Sequence, residues 1–244
     1  MPLLKMAFDL KQESDVKEFI DKLGVEYRFG CYHEGKPEVC HLLGDYLEAI
    51  KKDFEKARKV YKTNCDHHSF GKSCYKFANY TFIGKGASKG SADREGAMKY
   101  FEKGCQLGEP DSCLHAGLMC ISNSPGAGPK ERPRDYKGGM AFLEKGCEGK
   151  NAFSCYYLSG LFLSGVAQAG LERDMTKARA YSETACDLGN MYACANLSQM
   201  YKKGDGVAKD ETLSEKFKQR ALEIQEQAKN EAKQLNFQEG NKPV

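Results

Sequence analysis

The stretch that decides the fold runs from Ala185 to Glu211 and reads ACDLGNMYACANLSQMYKKGDGVAKDE. It opens with two cysteines, Cys186 and Cys194, which enclose a Gly-Asn pair typical of a chain reversal. A segment of helical character and a glycine-containing loop follow. What these two cysteines mean depends on whether the pattern recurs along the chain.

The pattern occurs five times, each time with two cysteines eight or nine residues apart. The period from one second cysteine to the next is about 34 to 42 residues, which is typical of stacked helical hairpins. The sequence therefore predicts an all-α repeat protein. The pairs are Cys31/Cys40, Cys65/Cys74, Cys105/Cys113, Cys147/Cys155 and Cys186/Cys194.

Small residues keep the same phase as the cysteines. Their spacing of three and four from apolar neighbours places both kinds on one helix face, where a small residue lets two helices approach closely. Four residues after each second cysteine stand Gly44, Ala78, Gly117, Ser159 and Ser198. Before each later pair stands a small residue, followed three positions on by a large apolar one: Ala57 with Val60, Ala97 with Tyr100, Gly139 with Phe142, and Ala178 with Tyr181.

We expect these units to form one right-handed α-solenoid domain over residues 12–235. A capping helix is predicted over 14–30, with Ser14 or Asp15 as its N-cap. The repeats are predicted at about 38–71, 72–110, 111–151, 152–190 and 191–235, and the last contains a C-terminal helix from about 213 to 234. Residues 1–11 are predicted to be an N-terminal tail and residues 236–244 a disordered C-terminal tail. The role of the long 122–139 loop is left open.

The composition excludes several classes of partner. The chain has a net charge of +3 and is 41% hydrophobic and 29% charged. This charge is too small to indicate a nucleic-acid or membrane-surface partner, and no apolar run is long enough to span a membrane. The first residues match neither a signal peptide nor a basic transit peptide. We therefore expect a soluble monomer with no nucleic-acid partner.

The motifs resemble the Sel-one-like repeats, which are relatives of the tetratricopeptide repeats. The resemblance lies in A-C-x-L-G-x-x-x-A-C-A-N-L and Y-K-x-G-D-G-V-x-K-D within residues 185–210, and it covers roughly residues 8–235. Cysteines at both helix-junction positions are similar to the disulfide-stapled branch of this family, which contains assembly factors for respiratory complex IV. The resemblance implies a scaffold whose concave face binds proteins.

The resemblance to this branch implies five disulfides, and the spacing is compatible with them. Residues eight apart in one helix are about 12 Å apart, whereas a disulfide joins Cα atoms about 4.4–6.8 Å apart, so the chain must reverse inside each pair. The expected reversal signals are Gly35 with Pro37, Gly71, Gly108 with Pro110, Gly149, and Gly189 with Asn190. The alternatives are packed reduced cysteines, a zinc site, which usually has closer ligand spacing, and a redox pair, although no C-x-x-C is present.

Cys120 falls outside the five pairs, and we expect it to be a packed, reduced thiol. A reactive or mixed-disulfide role for this thiol is the alternative reading. Disulfides without a secretory signal point to the mitochondrial intermembrane space, and the family resemblance implies the same compartment. The alternative is the cytosol, where the chain would be a repeat adaptor with reduced cysteines.

Candidate ligands and catalytic groups are few. His115 and Met119 are four residues apart on a predicted helix, and His with Met is a known axial haem pair, so they are candidate haem ligands. No metal site and no catalytic set is expected, because no nucleophile–base–acid group and no phosphate loop stands out. The resemblance implies complex IV assembly components and the disulfide-relay import machinery as partners. The enzymatic alternative is a thiol–disulfide oxidoreductase that acts on copper-carrying assembly partners.

Overall fold

The computed structural model describes residues 11–87, 90–122 and 134–238. This part of the chain is all-α, as the sequence predicted, apart from a 3-10 turn over Ala167–Ala169 beside an isolated bridge between Val166 and Leu171. The helices group into two compact units that divide after Leu107. The assignment of residues 12–235 to one domain stays a prediction.

The described residues of unit 1 form five helices, and each packs against the next along the chain. The small side chain of Ala57 and the aromatic ring of Tyr61 are fully buried between neighbouring helices, together with Leu43. This burial confirms the helix face predicted from the repeat phase. The helices are α1 (Glu13–Tyr32), α2 (Pro37–Ala49), α3 (Phe54–His68), α4 (Gly71–Ile83) and α5 (Arg94–Gln106).

In unit 2 the residues that the structure describes form six helices, which also pack in chain order. Leu143, Leu158 and Leu197 are fully buried at the centres of its clusters. The predicted loop over 122–139 lies mostly outside the described residues. The helices are α6 (Pro110–Ile121), α7 (Tyr136–Glu148), α8 (Ala152–Ser164), α9 (Met175–Asp187), α10 (Met191–Lys203) and α11 (Glu211–Gln238).

Disulfides close the helix junctions, which confirms the stapled fold. Four bridges have Cα–Cα distances of 4.5–4.8 Å, inside the range that a disulfide needs. They are Cys31–Cys40 and Cys65–Cys74 in unit 1, and Cys147–Cys155 and Cys186–Cys194 in unit 2. Cys105 and Cys113 are disulfide-bonded as well.

The chain reversal inside each pair follows a positional rule that differs from the predicted one. A residue with positive φ stands five positions before every second cysteine, whether or not it is glycine: Gly35, Ser69, Gly108, Lys150 and Gly189. Gly71 instead begins α4, and Gly149 has an ordinary φ of −73°. The predicted roles of these two glycines are therefore wrong. The bridge and the following helix fix where the left-handed residue must stand, and Ser69 and Lys150 adopt that conformation despite its cost.

The helix starts are also regular. The second helix of each repeat, which is α3, α5, α7, α9 or α11, begins after an aspartate that accepts a hydrogen bond from a backbone N–H three residues on, at 2.8–3.0 Å. These caps are Asp53, Asp93, Asp135, Asp174 and Asp210. The cap predicted for α1 is wrong, since Gln12 takes that position and Ser14 lies inside the first turn. At the other end, α11 continues through Gln238, because no glycine or proline interrupts it before Gly240.

Candidate functional site

The first helix of each repeat carries the second cysteine of a pair, so the first helices are α2, α4, α6, α8 and α10. One face of these helices is neither buried nor constant between repeats. The positions three and four residues after each second cysteine are buried in every repeat, whereas those two before, two after and five after it are exposed or half-buried. These positions share one side of a helix, because they are three or four residues apart. We call them the variable face. Its members are Glu38, Leu42 and Asp45 on α2, Lys72, Lys76 and Asn79 on α4, Asp111, His115 and Leu118 on α6, Phe153, Tyr157 and Gly160 on α8, and Tyr192, Asn196 and Gln199 on α10.

In unit 1 the variable face is ionic. The ammonium of Lys76 lies 3.3 Å from a carboxylate oxygen of Asp45 and 3.0 Å from one of Glu48, and Lys85 donates to Glu48 at 2.9 Å. The buried hydroxyl of Tyr61 donates to Asp45 at 2.6 Å and lies 3.2 Å from Glu48. The two acids therefore hold in place a tyrosine from α3, a lysine from α4 and a lysine from the turn after α4.

This ionic cluster shifts the protonation of its members. Burial alone raises the pKa of Glu48, but hydrogen bonds from Lys85 and Lys76 outweigh it and lower the pKa to about 2. Burial and then the hydrogen bond to Asp45 raise the pKa of Tyr61 far above its usual range. Burial lowers the pKa of His41, which lies beside Asp45 and contacts the hydroxyl of Ser73 at 3.0 Å. Glu48 is thus ionised, and His41 is neutral, near pH 7.

In unit 2 the variable face is aromatic on α8 and at the start of α10. Phe153 is 50% exposed, Tyr157 38% and Tyr192 52%. Tyr156 joins them, with its ring centroid 5.7 Å from that of Tyr157 and 5.9 Å from that of Tyr192. Aromatic rings of this kind bury a large area at little conformational cost, which is why they are common at the centres of protein interfaces.

Helix α8 carries no charged residue over its whole length, AFSCYYLSGLFLS. A helix that is apolar on all sides is normally enclosed on all sides, yet α8 leaves Phe153 and Tyr157 in contact with solvent. The exposed rings are therefore available to an apolar surface of another protein. Among the described residues, these rings form a candidate surface for binding a partner.

The predicted haem ligands lie on one helix but differ in exposure. His115 is half-buried, and its Nδ1 atom lies 2.8 Å from the carbonyl oxygen of Asp111. Met119, one turn later on α6, is only 8% exposed and belongs to the same buried position as Met200 in the last repeat. His115 is thus placed to meet a ligand, whereas Met119 must leave the core to do so.

The cysteines that the sequence singled out are mostly buried. Cys120 carries a buried thiol on α6. Nine of the ten bridged cysteines are buried, and Cys147 is half-buried. Within residues 11–87, 90–122 and 134–238, no cluster of three or more His, Cys, Asp or Glu side chains is arranged to hold a metal ion. In the same ranges no helix combines the length and apolarity needed to cross a membrane.

Comparison with known proteins identifies the family. The Sel1 repeat model matches residues 31–61, 71–109, 152–190 and 192–223. The Drosophila melanogaster cytochrome c oxidase assembly factor 7 homolog is 50% identical, in an alignment that covers 96% of this chain and 98% of the relative. The chain belongs to the cytochrome c oxidase assembly factor 7 family. The Homo sapiens assembly factor 7 is 38% identical over 94% of this chain and 97% of its own length.

Solved Sel1 repeat proteins share the fold of this assembly factor 7 family member. A Sel1 repeat protein from Oxalobacter formigenes superposes with a TM-score of 0.66 at 20% identity and covers 84% of each chain. The Escherichia coli antigen c5321 gives a TM-score of 0.68 at 20% identity over 88% of this chain and 48% of its own. At this level of identity the match is evidence for the fold alone.

Sequence reasoning missed the variable face, although a signal for it exists in the repeat register. Once the five repeats are aligned on their second cysteines, the core positions stay apolar or small, while the face carries acids on α2, lysines on α4 and aromatic rings on α8. Packing holds the core positions constant, and nothing in the packing constrains the others. The repeat register therefore separates this face from the core as a candidate binding surface.

Proposed function

We propose that this protein is a scaffold of the mitochondrial intermembrane space that supports assembly of cytochrome c oxidase, respiratory complex IV, by binding other proteins. The observation that carries the proposal is the match over nearly the full chain to relatives named as cytochrome c oxidase assembly factors. A match of this extent relates the whole repeat array, and not one module, to those relatives.

The disulfides support the compartment. Thiols are kept reduced in the cytosol, so a fold that closes its helix junctions with disulfides fits an oxidising compartment. Within the mitochondrion, where cytochrome c oxidase is assembled, the oxidising compartment is the intermembrane space. Its disulfide-relay import machinery is then a transient partner, and complex IV assembly components are the lasting ones.

The variable face supports protein binding as the mechanism. Its exposed aromatic rings in unit 2 and its ionic cluster in unit 1 offer two chemically different surfaces. Neither surface brings a nucleophile, base and acid together, so the arrangement can bind and orient a partner. We expect the protein to act as a monomer towards that partner.

Two experiments test this proposal. Protease should digest the protein in mitoplasts, whose outer membrane is open, and leave it intact in whole mitochondria. Digestion in whole mitochondria would contradict the proposed compartment and favour the cytosolic adaptor. Affinity purification from cross-linked mitochondria should recover complex IV assembly components with wild type. The Tyr157→Ala/Tyr192→Ala variant should recover less of them, and equal recovery would contradict the binding face.

Haem ligation by His115 and Met119 stays a prediction within this function. The half-buried position of His115 supports it. Met119 is buried, so its thioether must leave the core before it can ligate iron. Haem titration of the folded protein tests it. A Soret shift that is lost in both His115→Ala and Met119→Leu supports the pair, and the absence of any shift removes the hypothesis.

A thiol–disulfide oxidoreductase is the enzymatic alternative and also stays a prediction. It requires a reducible bridge or a reactive Cys120, and both the thiol and most bridges are buried. Turnover of a partner disulfide by wild type, lost in Cys120→Ser or in one cysteine-pair variant, would support it. No turnover above the uncatalysed rate would exclude it.

A further inference from the structure

The variable face of α8 and α10 carries no charged residue at any of its six positions. The backbones of the two helices approach each other, and the ring centroid of Tyr156 on α8 lies 5.9 Å from that of Tyr192 on α10. Equivalent positions of the two repeats are therefore neighbours on one surface. The neighbours are Phe153 with Tyr192, Tyr157 with Asn196, and Gly160 with Gln199.

One end of this surface is aromatic. The ring centroids of Tyr156 and Tyr157 are 5.7 Å apart, so these two rings and the ring of Tyr192 form one patch across both helices. Tyr157, Tyr192 and the neighbouring Phe153 all remain exposed. The patch therefore offers ring surface to an apolar group that comes from outside the chain.

The rest of the surface offers uncharged hydrogen-bond donors. Asn196 is half-buried and Gln199 is exposed, and neither amide makes a hydrogen bond within the described part of the chain. The hydroxyls of Tyr157 and Tyr192 make none to the described residues either. The space beside the amides is open, because a Cβ atom added at Gly160 would meet no atom within 4 Å. An occupant of this surface therefore meets donors and apolar rings but no charge.

These features fit a segment in the polyproline II conformation. Such a segment has no internal hydrogen bonds, so its carbonyl oxygens need donors when they leave water, and its apolar ridges dock on aromatic rings. Tyr192 and Gln199 are seven residues apart, which is about 10.5 Å along the helix axis. One polyproline II turn of three residues spans about 9.3 Å. Donors at the two ends of the α10 face can therefore meet carbonyl oxygens one turn apart.

Other occupants match this surface less well. A helix satisfies its own carbonyl groups except at its end, so it would leave the donors unused. A β-strand needs an exposed sheet edge, which two helices do not provide. Single-stranded nucleic acid stacks on aromatic rings, but its phosphates need lysine or arginine, and the six positions hold neither.

We propose that this surface binds an uncharged, proline-rich segment of a partner protein in the polyproline II conformation. Its proline rings pack on Tyr157 and Tyr192, and its carbonyl oxygens accept hydrogen bonds from Asn196 and Gln199. One ridge of the segment occupies the open space at Gly160. Such a site rests on the proposed function, since it specifies what the variable face recognises in an assembly partner.

Decaproline labelled with fluorescein tests this site by fluorescence anisotropy with the full-length, disulfide-intact protein. A labelled decapeptide of alternating glycine and serine is the matched control, because it is uncharged but behaves as a flexible coil. We expect decaproline to bind about tenfold more tightly or better, since its conformation is preorganised. A labelled leucine–lysine helix and labelled oligothymidylate represent the other occupants, and tighter binding of either one at these rings would overturn the proposal.

Variants locate the binding on the surface. Tyr157→Ala/Tyr192→Ala should remove decaproline binding, and Asn196→Ala should weaken it about fivefold, as the loss of one neutral hydrogen bond predicts. Gly160→Leu fills the open space and should weaken binding about tenfold. Tyr32→Ala removes a ring that is 68% exposed in unit 1 and should leave binding unchanged. Circular dichroism and the thermal midpoint check that each variant is folded.

The outcomes separate this site from the assembly role. Equal affinity for the two decapeptides, or unchanged decaproline binding in folded Tyr157→Ala/Tyr192→Ala, would overturn the polyproline II site. If that variant still recovered fewer complex IV assembly components, the assembly role would stand without the site. Decaproline binding that is lost in the double variant, combined with full recovery of those components, would support the site and contradict the assembly role.

Discussion

Gly44 on α2 faces the ring of Tyr61 on α3, and its replacement by alanine tests how the repeat helices pack. A Cβ atom added at Gly44 would lie 2.3 Å from Cε1 of Tyr61 and 2.7 Å from Cδ1. The ring is fully buried, and its hydroxyl donates to Asp45 at 2.6 Å. Because the ring is held by packing and by this hydrogen bond, it cannot move away without losing contacts.

The expected change follows from two opposing effects. Alanine in place of glycine in a helix interior gains up to about 1 kcal/mol of helix propensity. Overpacking a buried ring costs about 1–3 kcal/mol, and weakening a charge-assisted hydrogen bond costs about 1.5–3 kcal/mol more. We therefore expect Gly44→Ala to lower the free energy of unfolding by about 1.5–5 kcal/mol, because the clash and the weakened hydrogen bond outweigh the propensity.

Gly160 on α8 is the matched control. It also lies inside a first helix, but an added Cβ atom there meets no atom within 4 Å. Only the propensity then acts, so we expect Gly160→Ala to raise the free energy of unfolding by about 0.5–1 kcal/mol. The two substitutions are chemically identical and should have opposite signs.

Urea unfolding of the disulfide-intact protein, followed by circular dichroism, measures both variants. Hydrogen exchange of the amides in α2 and α8 assigns each change to its own unit, which matters if the units unfold separately. The reasoning is refuted if Gly44→Ala is as stable as wild type or more stable. A loss of stability in Gly160→Ala equal to that in Gly44→Ala would also refute it.

Three further predictions concern charge, bridges and caps. The pKa of Glu48 is about 2 in the folded protein, below its ordinary value of 4.5, so its contribution is complete above about pH 4.5 and is lost as pH falls towards 2. Wild type should therefore lose about 1–2 kcal/mol more than Glu48→Gln across that window in urea titrations, and parallel pH profiles would contradict this. Replacing Cys186 and Cys194 together by alanine should cost about 2–3 kcal/mol in denaturant unfolding, and a cost under about 0.5 kcal/mol would mean that the bridge adds nothing to the fold. Asp174→Ala should cost about 1 kcal/mol through loss of the cap of α9, whereas Asp174→Asn, which keeps an acceptor for the N–H of Lys177, should stay near wild type.

The repeat phase could be predicted from the sequence because cysteines and small residues recur at fixed intervals. Gly44 and Ala57 had to be small for the helices to approach, and both are buried as expected. The sequence also holds a signal for the N-caps that the repeat analysis did not use. Asp53 and Asp174 each stand four residues before the small residue of a second helix. These features are local, and local patterns survive in a single sequence.

Other features depend on tertiary geometry. Glycine was expected to make every chain reversal, but the bridge fixes the left-handed position, which falls on Ser69 and Lys150 at two junctions. The exposure of Tyr157 likewise depends on how much of α8 its neighbours cover.

The central claim is that the variable face supports assembly of cytochrome c oxidase by binding a partner. The most direct test is rescue of cells that lack this protein, with assembled complex IV measured on native gels. Wild type and Ile83→Ala, whose side chain is 60% exposed at the end of α4, should restore complex IV. Tyr157→Ala/Tyr192→Ala should reach the same protein level and leave complex IV reduced, and full restoration by this variant would contradict the account.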